Sequence, residues 1–179
     1  MLGTSHVWEV GRNLNPRINH KYINRLGSDR LINIYGALRL YKPPFLILDF
    51  GTALTCDYVS KKGIFMGGLI VPGPEIAFEA LSERAALLPK LPFPHSCRPF
   101  LGTDTKGGMK AGILQGYGAM VDGLILRFKA SYGSRLRVIA TGGLAKIMRP
   151  YTSSIDRVDP LLTLKSLHLA YRNQIKKYS

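Results

Sequence analysis

The stretch FLILDFGTALTCDYVSKKGIFMGGLIV, residues 45–71, predicts three successive β-strands. Its first five residues form a short apolar run after the turn signal Pro43-Pro44, which is typical of a buried strand. The segment LTCDYVS comes next, and residues 61–63 (KKG) suit a tight turn into the third strand, GIFMGGLIV. We therefore expect a meander of three antiparallel strands.

A helix is predicted directly after this meander. Pro72-Gly73-Pro74 interrupts the third strand, and proline is favoured in the first turn of a helix. We expect the helix to end near Leu88, followed by an irregular loop in the proline-rich segment PKLPFPHSCRPF. The face expected to be buried carries Ile76, Ala77, Ala80 and Leu81.

Helices and strands alternate in the rest of the chain. The pattern predicts a long helix over residues 105–132, a strand in RLRVIATGG, a helix through Met148, a short strand over 155–158 and a final helix over 160–175. The long helix should pack through Met109, Ile113, Gly116, Met120, Leu124 and Phe128, with its glycines allowing close approach of neighbours. The fold class predicted from this order is α/β.

Composition excludes several classes of protein. The chain has 179 residues, and 25 Lys and Arg against 11 Asp and Glu leave a formal charge of +14, which attracts anions. The basic residues are spread along the chain without a nucleic-acid-binding motif, so a basic surface is favoured over a nucleic-acid function. Two cysteines and four scattered histidines do not suggest a disulfide framework or a histidine metal cluster. No membrane span or signal peptide is evident, and we expect a cytoplasmic protein.

The motif DFGTALTCD, residues 49–57, is the first candidate site. Asp49 ends a strand and can bind a cation, Gly51 lets the backbone approach an anion, and Thr52 and Thr55 offer hydroxyl donors. Such a turn can hold phosphate. The alternative is a β-hairpin with polar turn residues.

The segment GSDR, residues 27–30, is the second candidate because an apolar helical pattern follows it. Asp29 could accept the proton of an attacking hydroxyl, and Arg30 could bind a substrate carboxylate through its planar fork. The alternative is that Asp29 serves only as a helix cap, stabilised by backbone donors and the helix dipole.

Three further glycine- and threonine-containing turns are weaker signals. They are Gly67-Gly68, the pair Thr103 and Thr105, and Thr141-Gly142-Gly143 after a predicted strand. Glycines at such turns are more often required for backbone conformation or packing than for ligands. A strand followed by Thr-Gly-Gly can nevertheless place backbone amides against a nucleotide.

The order of these motifs resembles one family. GSDR, DFGTALTCD, GGLIVPG, LPKLPF, GTDT, ATGG and DPLLTL follow one another as in the type III pantothenate kinases, from about Val10 onward. The resemblance implies an actin-like ATPase (ribonuclease-H-like) fold and a cytoplasmic homodimer. It also implies transfer of the γ-phosphate of ATP to pantothenate, the first step of coenzyme A biosynthesis, with Mg²⁺ and a monovalent cation, K⁺ or NH₄⁺.

The resemblance also implies roles for individual residues. Asp29 corresponds to the proton acceptor and Asp49 to the ligand of the monovalent cation. The remaining positions are Gly27, Ser28, Arg30 and Thr105 for pantothenate, and Gly51, Thr52, Thr141, Gly142 and Gly143 for ATP. Ser28 stands where alanine is more usual in the family, and Ser166 where glycine is frequent.

One family feature has no counterpart in this chain, namely the D-x-G-N-[ST] phosphate loop that precedes the G-x-D-R motif. We therefore expect residues 1–44 to contain a remnant of the N-terminal lobe and a connecting helix, and residues 45–179 to form the C-terminal lobe. A non-catalytic regulatory or nucleic-acid-binding protein that retains the kinase fold is the alternative. A fragment without function is a third interpretation.

Overall fold

The computed structural model describes residues 7–21 and 26–175. Its helices are α1 (Ser28–Leu40), α2 (Pro74–Arg84), α3 (Thr105–Tyr132), α4 (Ala145–Met148) and α5 (Leu162–Ile175). Its strands are β1 (Phe45–Phe50), β2 (Ala53–Val59), β3 (Phe65–Pro72), β4 (Arg137–Thr141) and β5 (Arg157–Val158). A short 3₁₀ turn, Arg149–Tyr151, follows α4. None of the helices in the described ranges is both long enough and apolar enough to cross a bilayer.

The strands form one five-stranded sheet in the order β3-β2-β1-β4-β5. β2 pairs antiparallel with both β1 and β3, which confirms the predicted meander. β4 then lies parallel to β1 on its other side, and β5 lies parallel to β4. β1 is therefore an internal strand, and an uninterrupted apolar run suits it because both of its faces are covered. The prediction of an α/β fold is confirmed.

Alternate residues of β1 enter two different cores. Leu46 and Leu48 pack with α3 on one face of the sheet. Phe45 and Ile47 pack on the other face, with α1 and the start of α5. Because side chains of a strand alternate between faces, Asp49 belongs to the same face as Ile47. The end of β1 thus presents a carboxylate toward the α1–α5 side.

The predicted extent and buried face of α2 are wrong. The helix ends at Arg84, and Ile76 and Leu81 are 40% and 43% exposed. Phe78 is fully buried instead, with its ring edge-on to Phe93 at 6.0 Å between centroids. A phenyl ring buries more apolar area than the smaller side chains on the expected face, so its contact sets the rotation of the helix.

The bounds of α3 are confirmed, but the predicted packed face is only partly right. Ile113, Met120, Leu124 and Phe128 pack against the core as partly buried residues, whereas Gly116 is exposed. The fully buried positions include Leu114, Val121 and Ile125. Apolar residues surround most of this helix, so periodicity alone did not identify the stripe that faces the sheet.

The backbone of Tyr151 packs closely against α3 at Gly118. A Cβ placed there would lie 2.0 Å from the Tyr151 carbonyl oxygen. At Gly116, by contrast, a Cβ would meet no atom within 4 Å among the described residues. The prediction that the glycines of this helix admit close neighbours is thus confirmed at Gly118 and not at Gly116.

Helices α1 and α5 are in close contact at Gly36. A Cβ at this position would lie 1.7 Å from the Ser166 hydroxyl oxygen and 2.8 Å from the Ser166 Cα. Ser166 is fully buried and donates a 2.6 Å hydrogen bond to the Leu162 carbonyl. The serine is accommodated because Gly36 has no side chain.

We expect Gly36→Ala to lower the free energy of unfolding by roughly 1–3 kcal/mol, because the added methyl group must push α1 away from α5. Chemical denaturation measures this change. Gly123→Ala is the matched control, since a Cβ at Gly123 meets nothing within 4 Å among the described residues and alanine favours a helix. A Gly36→Ala protein as stable as the unmodified one would show that the crossing is looser than described.

Candidate functional site

The carboxyl ends of β1 and β4 meet at one edge of the sheet. The two strands are parallel, and Asp49 pairs with Thr141 in their register. Thr141 lies on the same face as Ile139, which shares a core with Ile47, so Asp49 and Thr141 face the same side. Thr141 is fully buried, and its hydroxyl has no hydrogen-bond partner among the described residues.

Gly142 follows Thr141 and lies against the Asp49 carboxylate. Its φ of +91° is in the region that favours glycine. A Cβ there would also lie 2.4 Å from Asp49 Oδ1 and 2.6 Å from the Phe50 carbonyl oxygen. Both the backbone conformation and the space therefore require glycine. Gly143, by contrast, is exposed and has open space where a side chain would be.

Asn33 of α1 connects the Asp49 carboxylate to α5. Its Nδ2 donates a 2.8 Å hydrogen bond to Asp49 Oδ2, and its Oδ1 accepts a 2.8 Å hydrogen bond from Thr163 Oγ1. Burial raises the pKa of Asp49, and the hydrogen bond from Asn33 acts in the opposite direction. The amide thus favours the ionised carboxylate in a site that desolvation makes unfavourable for charge.

Arg30 and Asp57 form a buried ion pair beneath the start of α1. The Asp57 Oδ1 accepts from Arg30 Nη2 at 2.5 Å and from Nε at 3.0 Å, while the two residues are 6% and 1% exposed. The Arg30 guanidinium also lies 5.7 Å from the centre of the Phe65 ring. Burial raises the pKa of Asp57, and the hydrogen bonds from Arg30 oppose that change.

Gly68 provides the space for this pair. A Cβ at Gly68 would lie 2.6 Å from Asp57 Oδ1, 3.0 Å from Arg30 Nη2 and 2.2 Å from the Cys56 carbonyl oxygen. Thr55, which the sequence suggested as a donor to phosphate, is buried and its hydroxyl lies 3.5 Å from Asp57 Oδ2. Gly67 has a φ of +127°, so it is required for backbone conformation.

Asp29 is exposed in the first turn of α1 and is not its cap. The N-cap is Gly27, which makes no side-chain capping bond, and Ser28 Oγ donates to the Val10 carbonyl at 3.3 Å. Among the described residues no group donates a hydrogen bond to the Asp29 carboxylate. Gly27 makes room for it, since a Cβ there would lie 2.7 Å from Asp29 Oδ1.

Three carboxylates therefore share this region. Burial is the largest cause that raises the pKa of Asp49 and of Asp57, and the negative charge of Asp29 raises both further. Asp29 directly precedes Arg30, which pairs with Asp57, and lies about one helical turn before Asn33, which donates to Asp49. The first turn of α1 and the ends of β1 and β4 thus form one polar site, open at Asp29 and buried at Asp57.

The turn between β1 and β2 borders this site. Residues 51–52 connect a β-hairpin, as the alternative interpretation of the motif proposed, with Thr52 exposed. A Cβ at Gly51 would make only ordinary contacts, at 3.6 Å or more, so no atom of the described chain requires glycine there. Gly73 packs beneath the turn, where a Cβ would lie 2.2 Å from the Gly51 carbonyl oxygen.

Thr105 is not brought to the same side. It begins α3, which covers the face of the sheet opposite to α1, and its side chain is exposed. Its neighbour Asp104 is the cap of α3, accepting a 2.6 Å hydrogen bond from the Gly107 amide. Thr103 is likewise exposed.

Sequence reasoning did not assign Asn33, Asp57 or Thr163. Asn33 carried a usable signal, because it lies four residues after Asp29 and so on the same helix face. Asp57 and Thr55 are two residues apart in β2, so they lie on the same face of the sheet, the face that also contains Asp49. For Thr163, 130 residues from Asn33 in sequence, no local pattern indicated the contact.

Comparison with known proteins places this chain in a family. The family model for type III pantothenate kinases matches residues 4–127. A type III pantothenate kinase of Syntrophus aciditrophicus is 46% identical over 147 residues, which cover 82% of this chain and 58% of the relative. That of Bacillus cytotoxicus is 42% identical over 172 residues, covering 94% of this chain and 65% of the relative. The chain thus spans about three fifths to two thirds of the length of these relatives.

Solved structures support the fold. A conserved protein of the Baf family of transcriptional activators from Campylobacter jejuni matches with a TM-score of 0.60 at 20% identity, covering 90% of this chain and 70% of that one. The activator of 2-hydroxyisocaproyl-CoA dehydratase from Clostridium difficile, with bound ADPNP, matches with a TM-score of 0.51 at 13% identity, covering 82% and 67%. These likenesses confirm the actin-like ATPase fold. The motif order, the family model and relatives above 40% identity agree, and the chain belongs to the type III pantothenate kinase family.

Proposed function

We propose that this protein transfers the γ-phosphate of ATP to the primary hydroxyl of pantothenate, the first step of coenzyme A biosynthesis. The observation that carries the proposal is the position of Asp29, an exposed carboxylate that accepts no hydrogen bond from the described residues and lies in the helix turn whose Arg30 and Asn33 contact Asp57 and Asp49. The family gives the reaction, and this carboxylate is a base available to a substrate.

In this proposal Asp29 accepts the proton of the pantothenate hydroxyl as that oxygen attacks phosphorus. Phosphoryl transfer requires mainly in-line positioning and neutralisation of charge, so one base near the nucleophile is sufficient on the acceptor side. Gly27 and Ser28 would line the pantothenate site beside it. The exposed start of α1 leaves room for a substrate there.

Arg30 contributes to the pantothenate site by positioning rather than by binding a carboxylate. Two of its nitrogens already donate to Asp57, and the pair is buried. It therefore anchors the first turn of α1, and with it Asp29, to strand β2. Thr105, exposed at the start of α3, would contact pantothenate in the same chain or from a second copy in a homodimer.

Asp49 is proposed to bind K⁺ or NH₄⁺, and the residues present fit such an ion. A partly buried carboxylate is paired in register with Thr141, whose buried hydroxyl lacks a partner among the described residues, and Gly142 lies against Asp49 Oδ1 without a side chain. Oxygen donors of this kind suit a hard cation. The ion would supply positive charge that offsets the charge of the ATP phosphates.

The ATP site is proposed along the same edge of the sheet. Gly51 and Thr52, in the exposed β1–β2 turn, would contact the phosphates, and residues 141–143 would lie near the nucleoside. Mg²⁺ would accompany ATP and neutralise phosphate charge. The net charge of +14 favours the approach of the nucleotide. A cytoplasmic location is part of the same proposal.

The test is direct detection of phosphopantothenate by mass spectrometry after incubation of the purified chain with ATP, Mg²⁺, K⁺ and pantothenate. We expect saturable product formation that falls when Na⁺ replaces K⁺, because the proposed site takes K⁺ or NH₄⁺. Omission of pantothenate is the control for ATP hydrolysis. A folded chain that makes no product contradicts the proposal.

The regulatory alternative has its own signature. Strongly salt-dependent affinity for DNA without affinity for pantothenate would favour a nucleic-acid-binding protein over the kinase. The net charge of +14 is the observation behind this alternative. No contact among the described residues favours it.

A further inference from the structure

Three elements that are distant in sequence meet at one chain of hydrogen bonds. Thr163 Oγ1 of α5 lies 2.8 Å from Asn33 Oδ1, and Asn33 Nδ2 of α1 lies 2.8 Å from Asp49 Oδ2 of β1. Asn33 is 2% exposed, so water does not compete freely for its amide. We call this chain the Thr163–Asn33–Asp49 relay.

The direction of the relay follows from its chemistry. An ionised carboxylate can only accept hydrogen bonds, so Asn33 must present its NH₂ group to Asp49. Its carbonyl oxygen then faces Thr163, whose hydroxyl must donate. If the Thr163 hydroxyl is removed, the carbonyl oxygen loses its partner, and the reversed amide would place an oxygen against the carboxylate.

Close contacts surround the relay on two sides. Gly36, one helical turn after Asn33, touches Ser166, which is three residues after Thr163, where α1 and α5 are in close contact. On the other side, Gly142 lies against Asp49 Oδ1 while Asn33 donates to Oδ2. One carboxylate oxygen is therefore held by the relay, and the other lies beside a residue that has no side chain.

We propose that Asn33 and Thr163 are positioning residues that orient the Asp49 carboxylate toward a monovalent cation. The identity of that cation rests on the proposed function, whereas the relay itself rests on the two hydrogen bonds. Thr163 acts through Asn33 and does not touch the ion. Its effect is transmitted by the orientation of one side-chain amide.

The matched variants are Thr163→Val, which removes the donor at nearly constant volume, and Thr163→Ser, which keeps it. The first readout is the pair of ¹⁵N–¹H resonances of the Asn33 side-chain amide, assigned by their loss in Asn33→Ala. We expect Thr163→Val to shift or broaden both resonances and Thr163→Ser to leave them close to those of the unmodified protein.

The second readout is affinity for a monovalent cation, with Tl⁺ as a probe for K⁺, measured by ²⁰⁵Tl resonance. We expect Thr163→Val to weaken Tl⁺ binding roughly 10- to 100-fold, the usual effect of removing a group that orients a metal ligand. Thr163→Ser should restore the affinity. A purely structural role would lower the melting temperature of Thr163→Val without changing the amide resonances.

Unchanged amide resonances and Tl⁺ affinity in Thr163→Val would overturn the proposal. Failure of the kinase function gives a different result. An unmodified chain that makes no phosphopantothenate, but whose amide resonances respond to Thr163→Val, would refute the function and retain the relay. If the unmodified chain does not bind Tl⁺, the proposed role of the relay toward a cation is refuted.

Discussion

Asp29→Asn should reduce the rate of phosphopantothenate formation by roughly 10²- to 10⁴-fold, the usual contribution of a general base. Asparagine has the same shape but cannot accept the proton of the attacking hydroxyl. The effect should appear in kcat rather than in KM, because the lost interaction belongs to the transition state. Initial rates measured at saturating ATP and pantothenate give the comparison.

The fold should be unaffected by this change. Asp29 is exposed, makes no capping bond and receives no hydrogen bond from the described residues, so the substitution leaves no buried group unpaired. Glu79→Gln on the exposed side of α2 is the matched control, and we expect unchanged turnover. If Asp29→Asn keeps the full rate, Asp29 has no part in the mechanism.

Asp57→Ala is expected to destabilise the fold by about 3–5 kcal/mol, because it leaves the Arg30 guanidinium buried without its carboxylate. For a chain of this size that corresponds to a decrease of roughly 6–20 °C in melting temperature. Calorimetry or thermal unfolding followed by circular dichroism measures the change.

The double variant Arg30→Met, Asp57→Leu distinguishes charge from packing. With both charges removed, apolar side chains occupy the space, and replacing a buried pair in this way often costs little stability. We therefore expect the double variant to be more stable than Asp57→Ala. It should still lose activity, because Asp29 is anchored through Arg30. An Asp57→Ala protein within 1 kcal/mol of the unmodified one would contradict the described ion pair.

Three of the motifs named in the sequence meet in the structure, and the roles given to their residues stay predictions. GSDR, DFGTALTCD and ATGG are adjacent at one edge of the sheet. Arg30, however, which the sequence suggested as a substrate-binding fork, has Asp57 as a partner within the chain. A buried carboxylate at the correct distance is a property of the folded sheet, and a motif does not encode which of its charges pair internally.

Local patterns in the sequence were sufficient for the meander, the long helix α3 and the family. Strand alternation, turn residues and motif order depend on neighbouring positions, so they can be recognised without knowledge of the fold. The rotation of α2 and the stripe of α3 that faces the sheet depended on competition between apolar faces. Only the packed core decided which face of each helix is buried, because burial of the largest side chains outweighs periodicity.

The contacts that organise the site were decided by tertiary structure alone. Asn33 and Thr163 are 130 residues apart, and their hydrogen bond exists because Gly36 and Ser166 allow α1 and α5 to cross closely. Asp49 and Thr141 meet because β1 and β4 are parallel neighbours. The sequence by itself thus determined the family and the motifs from which the candidate residues were chosen. The fold determined which of them touch, since contact between distant residues requires the closed geometry of helices and sheet.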